Sequence, residues 1–207
     1  MKRCVIIGGA PIARYDRIRP LLQDDDFVIY CDSGLKHMEA LGRQPDLIIG
    51  DFDSHERPET DIETIVLPTV KDDTDTMFAV KEGIRRDFED FLLIGALGGR
   101  LDHTMVNVYS LLHLDEKGKN GVIADDFSIV RLISRAPAEI GPEWAFFSLV
   151  NIDGSAHGVT IRNAKYELDD AEIPCSFQYA TSNEPLPNQK ATVSLKEGRL
   201  LLICDYE

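Results

Sequence analysis

The sequence predicts an α/β protein, with an N-terminal mostly parallel, Rossmann-like sheet flanked by helices, followed by a C-terminal all-β sandwich. Short apolar runs alternate with helical patterns over the first 125 residues, as in parallel sheets covered by helices. After about Asp126 the helical periodicity ends, and β-branched or aromatic runs separated by turn residues take over. A chain of 207 residues can hold two small domains. We predict their boundaries at 1–125 and 126–207.

Six strands and four helices are expected to alternate in the first domain. The predicted strands are 4–7, 27–31, 47–49, 64–67, 91–97 and 121–124, each a short, nearly continuous apolar run. The predicted helices are 12–22, 35–41, 73–86 and 103–117. The last two have the clearest apolar stripes; acidic capping residues precede the third, and Gly118 ends the fourth.

The second domain is expected to be antiparallel. Its predicted strands are 127–133, 144–151, 159–163, 165–168, 191–195 and 199–204. Turns are predicted at Asp153-Gly154, His157-Gly158 and Glu197-Gly198, so a small sandwich or barrel is the natural architecture.

Composition excludes several classes of function. A net charge of -14 argues against electrostatic attraction to nucleic acid or to an anionic membrane. The four cysteines form no C-x-x-C pair, which excludes a zinc ribbon or a dithiol redox motif. No apolar stretch approaches the ~20 residues that a membrane helix needs, and the N-terminal apolar run is too short for a signal peptide. We therefore expect a cytoplasmic protein.

Aspartates are concentrated in two short segments, 51–53 and 72–75. Asp51 and Asp53 follow the third strand, and in an extended segment both would point to one side while Phe52 packs on the other. Asp75 lies near the start of the third helix. Carboxylates gathered in one place need a cation, and oxygen-only ligands suit Mg²⁺. An acidic turn and ordinary helix capping are the structural alternatives.

Glycine-rich turns follow three other strands. Gly98-Gly99-Arg100 precedes the fourth helix, where main-chain N–H groups and an arginine can bind phosphate. Asp102 and His103 come next in the sequence, and they could be either site residues or capping residues of the fourth helix. Gly8-Gly9 and Asp32-Ser33-Gly34 end the first two strands, where they suit a nucleotide or serve as ordinary turns. Asp32 could accept hydrogen bonds from a ribose or belong to the acidic site. In the second domain, Ser182 and Asn183 could hold a small organic ligand or simply satisfy strand ends. The other histidines, including His37, show no metal-ligand spacing, and we interpret them as surface or packing residues.

Taken in order, these motifs resemble the thiamine pyrophosphokinase (thiamine diphosphokinase) family. The matching residues are Asp32-Ser33-Gly34, the run 45–54, the run 71–75, and the run 98–103 with Asn107. The resemblance implies an α/β nucleotide-binding domain joined to a β-sandwich, in a homodimer with thiamine at the subunit interface. It also implies transfer of the terminal diphosphate of ATP to the hydroxyl of thiamine, giving thiamine diphosphate and AMP.

The resemblance also implies roles for individual residues. Asp51, Asp53 and Asp75 would hold Mg²⁺ on the ATP phosphates, with Asp32 nearby. Arg100 would stabilise the transferring group, and Asp75 or Asp102 would accept the proton of the thiamine hydroxyl. Residues expected to surround ATP are Gly8, Gly9, Asp32, Ser33, Gly34, Thr74, Gly98, Gly99, Arg100, His103 and Asn107. Ser182 and Asn183 would line the thiamine pocket. The alternatives are another Mg²⁺-dependent transferase or hydrolase acting on a nucleotide or phosphate ester, and a non-catalytic sensor of nucleotide or thiamine.

Overall fold

The computed structural model describes residues 3–52, 59–68 and 73–206. The chain divides into two compact units, Met1–Asp126 and Phe127–Glu207. Among the described residues, no helix combines the length and the apolar character that crossing a membrane requires.

Within its described residues, unit 1 is built on six parallel strands in the order β4-β3-β2-β1-β5-β6. They are β1 (Cys4–Ile7), β2 (Phe27–Cys31), β3 (Leu47–Gly50), β4 (Thr64–Val66), β5 (Asp90–Ile94) and β6 (Asn120–Ala124). All four side chains of β1 are fully buried, as expected for a strand covered on both faces. The predicted mostly parallel sheet is therefore confirmed.

The strand order of unit 1 creates a crevice at one position. The chain adds β2, β3 and β4 on one side of β1 and then returns to add β5 and β6 on the other side. The loops that leave β1 and β5 therefore diverge at the carboxyl edge of the sheet. Open α/β sheets bind their ligands at such a switch point.

The helices of unit 1 differ in how well they were predicted. They are α1 (Tyr15–Ile18), α2 (Met38–Leu41), α3 (Asp75–Arg85) and α4 (Leu101–Glu116). The single helix predicted at 12–22 is wrong: α1 passes into a 3₁₀ turn, Arg19–Leu21, that contains Pro20, and proline cannot continue an α-helix. The segment before α2 is also a 3₁₀ helix, Asp32–His37. Strand β5 stops at Ile94, short of the predicted Leu97, because Gly95 takes a left-handed conformation (φ +60°).

Unit 2 contains two antiparallel sets of strands. Strands β7 (Ser128–Ile133), β13 (Leu200–Asp205) and β9 (Phe146–Val150) pair in that order. The second set has the order β11-β10-β12-β8, with β8 (Ala138–Ile140), β10 (Ser155–Arg162), β11 (Leu168–Pro174) and β12 (Ala191–Ser194). One buried hydrophobic cluster draws side chains from both sets, including Phe147 and Leu202 from the first and Ile161 and Val193 from the second.

Two predictions in unit 2 are wrong, and one strand was missed. His157-Gly158 is not a turn but part of β10, where the pairing register shifts and Gly158 has φ +67°. A left-handed glycine inside a strand makes a β-bulge. The strand predicted at 165–168 begins only at Leu168, since the preceding residues form the connection to β10. The missed strand is β8, whose three residues are too few to show a strand pattern in the sequence.

Candidate active site

A cavity of about 680 Å³ opens in unit 1 at the carboxyl ends of β1, β2, β3 and β5 and beside the first turns of α3 and α4. This volume is in the usual range for a small-molecule site. Its lining residues are Gly9, Ala10, Pro11, Cys31, Asp32, Ser33, Asp51, Asp73, Thr74, Asp75, Thr76, Gly95, Ala96, Gly98, Gly99, Arg100, His103 and Asn107.

Three half-buried aspartates converge in this cavity. Asp32, Asp51 and Asp75 each offer one carboxylate oxygen, and these oxygens lie within 4.8 Å of one another. The three residues come from different elements: one follows β2, one follows β3, and one is the first residue of α3. The structure thus brings together the two acidic segments that the sequence separates. A set of carboxylate oxygens at this spacing fits a hard divalent cation such as Mg²⁺.

The main chain is adapted to this convergence. A Cβ at Gly50, the last residue of β3, would lie 2.9 Å from Cβ of Asp32, so only glycine lets the two strand ends approach. Asp32 (φ +21°) and Phe52 (φ +53°) both have positive φ, a conformation that costs energy in non-glycine residues and is concentrated at functional sites. The prediction that residues 51–53 form an extended segment, with Asp51 and Asp53 on one side and Phe52 on the other, is therefore wrong at Phe52. Asp53, the other predicted metal ligand, lies outside the described residues.

Glycines allow close packing of the backbone around the cavity, at the carboxyl ends of β1, β2 and β5. The N–H of Ala10 donates to the carbonyl of Gly95 (2.9 Å), and a Cβ at Gly8 would lie 2.6 Å from that same oxygen. A Cβ at Gly34 would lie 2.2 Å from the carbonyl oxygen of Ile7. Gly8 and Gly34 are not among the residues that line the cavity, in contrast to Gly9. Gly8 and Gly34 therefore allow backbone segments to pack.

Two side chains of α4 hydrogen-bond to the main chain of the turn that precedes it. Gly98 and Gly99 have φ +91° and +69°, which glycine adopts without strain. The Gly98 N–H donates to Oγ1 of Thr104 (3.0 Å), and Nδ2 of buried Asn107 donates to the carbonyl of Ala96 (2.7 Å). Asn107 thus fixes the segment that leads into the glycine turn.

Arg100 and Asp102 form an exposed ion pair at the start of α4. Nε and Nη2 of Arg100 donate to the two carboxylate oxygens of Asp102 at 3.1 and 2.6 Å. The hydrogen bond from Arg100, with a second from the His103 N–H, lowers the pKa of Asp102 to about 2, and the same pairing raises the pKa of Arg100. With a pKa this low, Asp102 is a weak proton acceptor.

Two other predicted residues line the cavity and also make local contacts. Oγ1 of Thr74 accepts the N–H of Met77 (3.2 Å) and so caps α3. Oγ of Ser33 lies 1.9 Å from where a Cβ at Gly9 would be. Gly9 must therefore lack a side chain for the Ser33 hydroxyl to face this wall.

Ser182 and Asn183 belong to unit 2. Ser182 is exposed, has φ +55° and donates its N–H to Oγ of Ser148 (3.0 Å). Asn183 is buried: its Oδ1 accepts the N–H groups of Tyr166 and Glu184, and its Nδ2 donates to the carbonyl of Tyr166. The Asn183 side chain therefore holds the local main chain.

Several cavity residues were not predicted as site residues. They are Ala10, Pro11, Cys31, Asp73, Thr76, Gly95 and Ala96. Most directly flank a residue that was predicted, so the available signal was their position just after a strand or beside an acidic motif. Burial raises the pKa of the Cys31 thiol, and the nearby Asp75 raises it further; this cysteine is therefore a neutral part of the wall.

The fold and the cavity define a class of protein: an α/β protein whose parallel sheet carries, in a cavity at its carboxyl edge, an acidic site together with a glycine-rich turn and an arginine. Such sites bind phosphates together with a divalent cation.

Comparisons with known proteins assign the family. Residues 18–123 match the model of the thiamin pyrophosphokinase catalytic domain, and residues 138–200 match that of the thiamin pyrophosphokinase vitamin B1 binding domain. The chain therefore belongs to the thiamin pyrophosphokinase family. Its activity is accordingly the ATP-dependent pyrophosphorylation of thiamine, and the alternative functions considered from the sequence are not favoured.

Individual relatives resemble the chain over nearly its whole length. Thiamin pyrophosphokinase 1 of Caenorhabditis elegans is 23% identical over 96% of this chain and 86% of its own length. Thiamine pyrophosphokinase of Bacillus subtilis is 24% identical over 98% of each chain. The crystal structure of thiamine pyrophosphokinase from Bacillus subtilis matches with a TM-score of 0.88 at 20% identity, covering 100% of both chains. The structure from Geobacillus thermodenitrificans matches with 0.84 at 24% identity, covering 99% and 98%. At these identities the solved structures support the fold.

Proposed function

We propose that the unit 1 cavity is the catalytic centre, where ATP is bound with Mg²⁺ and its terminal diphosphate is transferred to thiamine. The observation that carries this proposal is the convergence of Asp32, Asp51 and Asp75 within 4.8 Å at the carboxyl edge of a parallel sheet. Three carboxylates so close together repel one another, and a divalent cation relieves that repulsion. Asp51 and Asp75 would hold the cation, together with Asp32 and with Asp53.

Phosphoryl and diphosphoryl transfer depend mainly on positioning and on charge neutralisation. The bound cation would supply neutralisation of the phosphate oxygens. The N-terminus of α4 is suited to phosphate through its dipole and main-chain N–H groups, whereas the Gly98 N–H already donates to Thr104. Arg100 would exchange its bidentate bond to Asp102 for a bidentate bond to the transferring group.

The proton of the thiamine hydroxyl needs an acceptor as the oxygen attacks. Of the two candidates from the sequence, we favour Asp75 because the bond from Arg100 keeps the pKa of Asp102 near 2. In this proposal Asp102 instead holds Arg100 in place until phosphate arrives. Asp75 lines the cavity, whereas Asp102 is not among the lining residues and reaches the cavity only through its ion pair with Arg100.

Unit 2 is proposed to bind thiamine, in keeping with the vitamin B1 binding model that matches residues 138–200. Exposed Ser182 would contact thiamine directly, and its left-handed backbone marks a strained position of the kind that functional sites retain. Asn183 would contribute by holding this loop through its bonds to Tyr166.

We further propose that unit 1 is Rossmann-like, that unit 2 is a β-sandwich, and that the enzyme is a cytoplasmic homodimer. Leu101, Met105 and Tyr109 support self-association, because they are exposed at successive turns along one face of α4. Light scattering is expected to give twice the mass of one chain. Leu101→Glu should shift the protein toward monomer, and a monomeric wild type would contradict the dimer.

The direct test of function is incubation with thiamine, ATP and Mg²⁺, followed by mass spectrometry of the products. The expected products are thiamine diphosphate and AMP in equal amounts. ADP or orthophosphate in their place would indicate a different transferase or a hydrolase. Binding of ATP and thiamine without any product would indicate a sensor.

A further inference from the structure

His37 is a buried histidine for which the proposed chemistry has no role. Its side chain lies at the end of the 3₁₀ helix Asp32–His37 and is almost completely buried, with 2% of the residue exposed. Nε2 lies 2.9 Å from the carbonyl oxygen of Ala10, and Nδ1 lies 2.7 Å from the hydroxyl of Tyr15. Both ring nitrogens are therefore engaged, which is more than packing alone requires.

The partners determine the tautomer of the ring. A carbonyl oxygen only accepts, so Nε2 must carry the hydrogen that it donates to Ala10. In the neutral ring Nδ1 is then an acceptor, and the Tyr15 hydroxyl donates to it. Burial lowers the pKa of His37, which favours this neutral form at pH 7.

The hydrogen bond to Ala10 joins two separate parts of the cavity. One end is the segment that begins with Asp32 and Ser33, and the other end is the wall formed by 9–11. On its far side, the Ala10 N–H of the same wall donates to the carbonyl of Gly95, the residue that follows β5. Cδ of Pro11 lies 3.6 Å from where a Cβ at Gly99 would be. A displacement of Ala10 would therefore also displace Pro11 and change its packing against the glycine turn at Gly99.

We infer that His37 is a positioning residue for nucleotide: by fixing the Ala10 carbonyl it sets the distance between the acidic strand ends and the glycine turn that are proposed to hold the ATP phosphates. This inference rests on the proposed function, because it takes the unit 1 cavity as the ATP site. Loss of the bond should weaken ATP binding, and the chemical step should change less, because His37 does not line the cavity.

The test compares His37→Phe, His37→Gln and Tyr15→Phe with the wild type. Phenylalanine keeps a ring of similar size but removes both hydrogen bonds, and we expect KM for ATP to rise about tenfold, the size of one lost bond, while KM for thiamine stays the same. Glutamine keeps a side-chain N–H donor, so it should recover much of the loss. Tyr15→Phe removes only the second bond and should raise KM for ATP by about twofold.

His113→Phe is the matched control, since it makes the same replacement in α4 outside the cavity lining. Calorimetric titration with Mg²⁺ and a non-hydrolysable ATP analogue should give the same tenfold change in affinity, independently of turnover. If His37 were only a packing residue, His37→Phe would lower Tm or the active fraction and leave KM and analogue affinity as in the wild type. That result would overturn the inference. Absence of thiamine diphosphate with the wild type would instead refute the proposed function.

Discussion

Replacing Asp75 by asparagine should have opposite effects on activity and on the stability of the metal-free protein. Each pair of charges in the cluster of Asp32, Asp51 and Asp75 is separated by at most 4.8 Å. Repulsion per pair is about 0.9 kcal/mol at the dielectric constant of water and about 3.5 kcal/mol at an effective value of 20. Asp75 takes part in two pairs, so neutralising it relieves roughly 2 to 7 kcal/mol. The half-buried side chains and the open cavity favour the lower figure.

A favourable interaction with the helix dipole is lost at the same time. Asp75 is the first residue of α3, where a carboxylate gains about 0.3 to 1 kcal/mol from the helix dipole. The net stabilisation of the metal-free variant is then about 1 kcal/mol, which corresponds to a rise in Tm of roughly 2 to 4 °C in a chain of this size. Turnover should fall by about a hundredfold or more, because charge at the phosphates is no longer neutralised correctly.

The assay is thermal unfolding in chelator and again with Mg²⁺ and ATP, next to measurements of turnover. The wild type should gain stability from Mg²⁺ with ATP, while Asp75→Asn should gain much less. Asp61→Asn, which removes one acid from an exposed loop of the same unit, is the control and should resemble the wild type in both respects. A metal-free variant that is less stable than the wild type, or one that Mg²⁺ stabilises equally, would refute the electrostatic reasoning.

Three further predictions concern individual contacts. The pKa of Asp102 is depressed from 3.8 to about 2, so its pairing with Arg100 is complete above about pH 4 and is lost as the pH falls through 2; Arg100→Gln should move the carboxyl titration seen by NMR back toward 3.8, and an unchanged midpoint would contradict this. Glu82 is buried and accepts hydrogen bonds from two arginines, including Arg86 at 2.7 Å; Glu82→Ala should cost about 2 kcal/mol in urea unfolding, and a loss below about 0.5 kcal/mol would count against it. Gly34→Ala would place a Cβ 2.2 Å from a β1 carbonyl oxygen and should cost about 3 kcal/mol, whereas a normal urea midpoint would mean that the backbone shifts freely.

The parts of the fold that could be predicted from sequence are those where one physical effect dominates. Strands β1 and β2 begin and end as predicted, because a strand buried on both faces must be a continuous apolar run. Helix α3 was predicted from the acidic capping residues that precede it and from the apolar stripe along one face. The segment before α2 was predicted poorly, because apolar spacing over so few residues does not distinguish a 3₁₀ helix from an α-helix.

Within the candidate site, residue chemistry could be predicted but arrangement could not. Asp32, Asp51 and Asp75 could be recognised as acids near strand and helix ends that could share one site, whereas the spacing of their carboxylates depends on the order of β2 and β3 in the sheet. His37 carries no local signal, because its role is set by a contact 27 residues away along the chain. Main-chain contacts such as that of Ala10 likewise cannot be read from side-chain identity.

The same features that make the site suitable for a cation make it unfavourable without one. Three neighbouring carboxylates repel one another, and positive φ values at Asp32 and Phe52 add backbone strain at the same place. The surrounding sheet holds this arrangement, since β1 and β2 are almost entirely buried and closely paired. Because the cost is present before any ligand binds, the proposed cation and phosphates would not have to organise the site themselves, and more of their binding energy would be available for the transfer reaction.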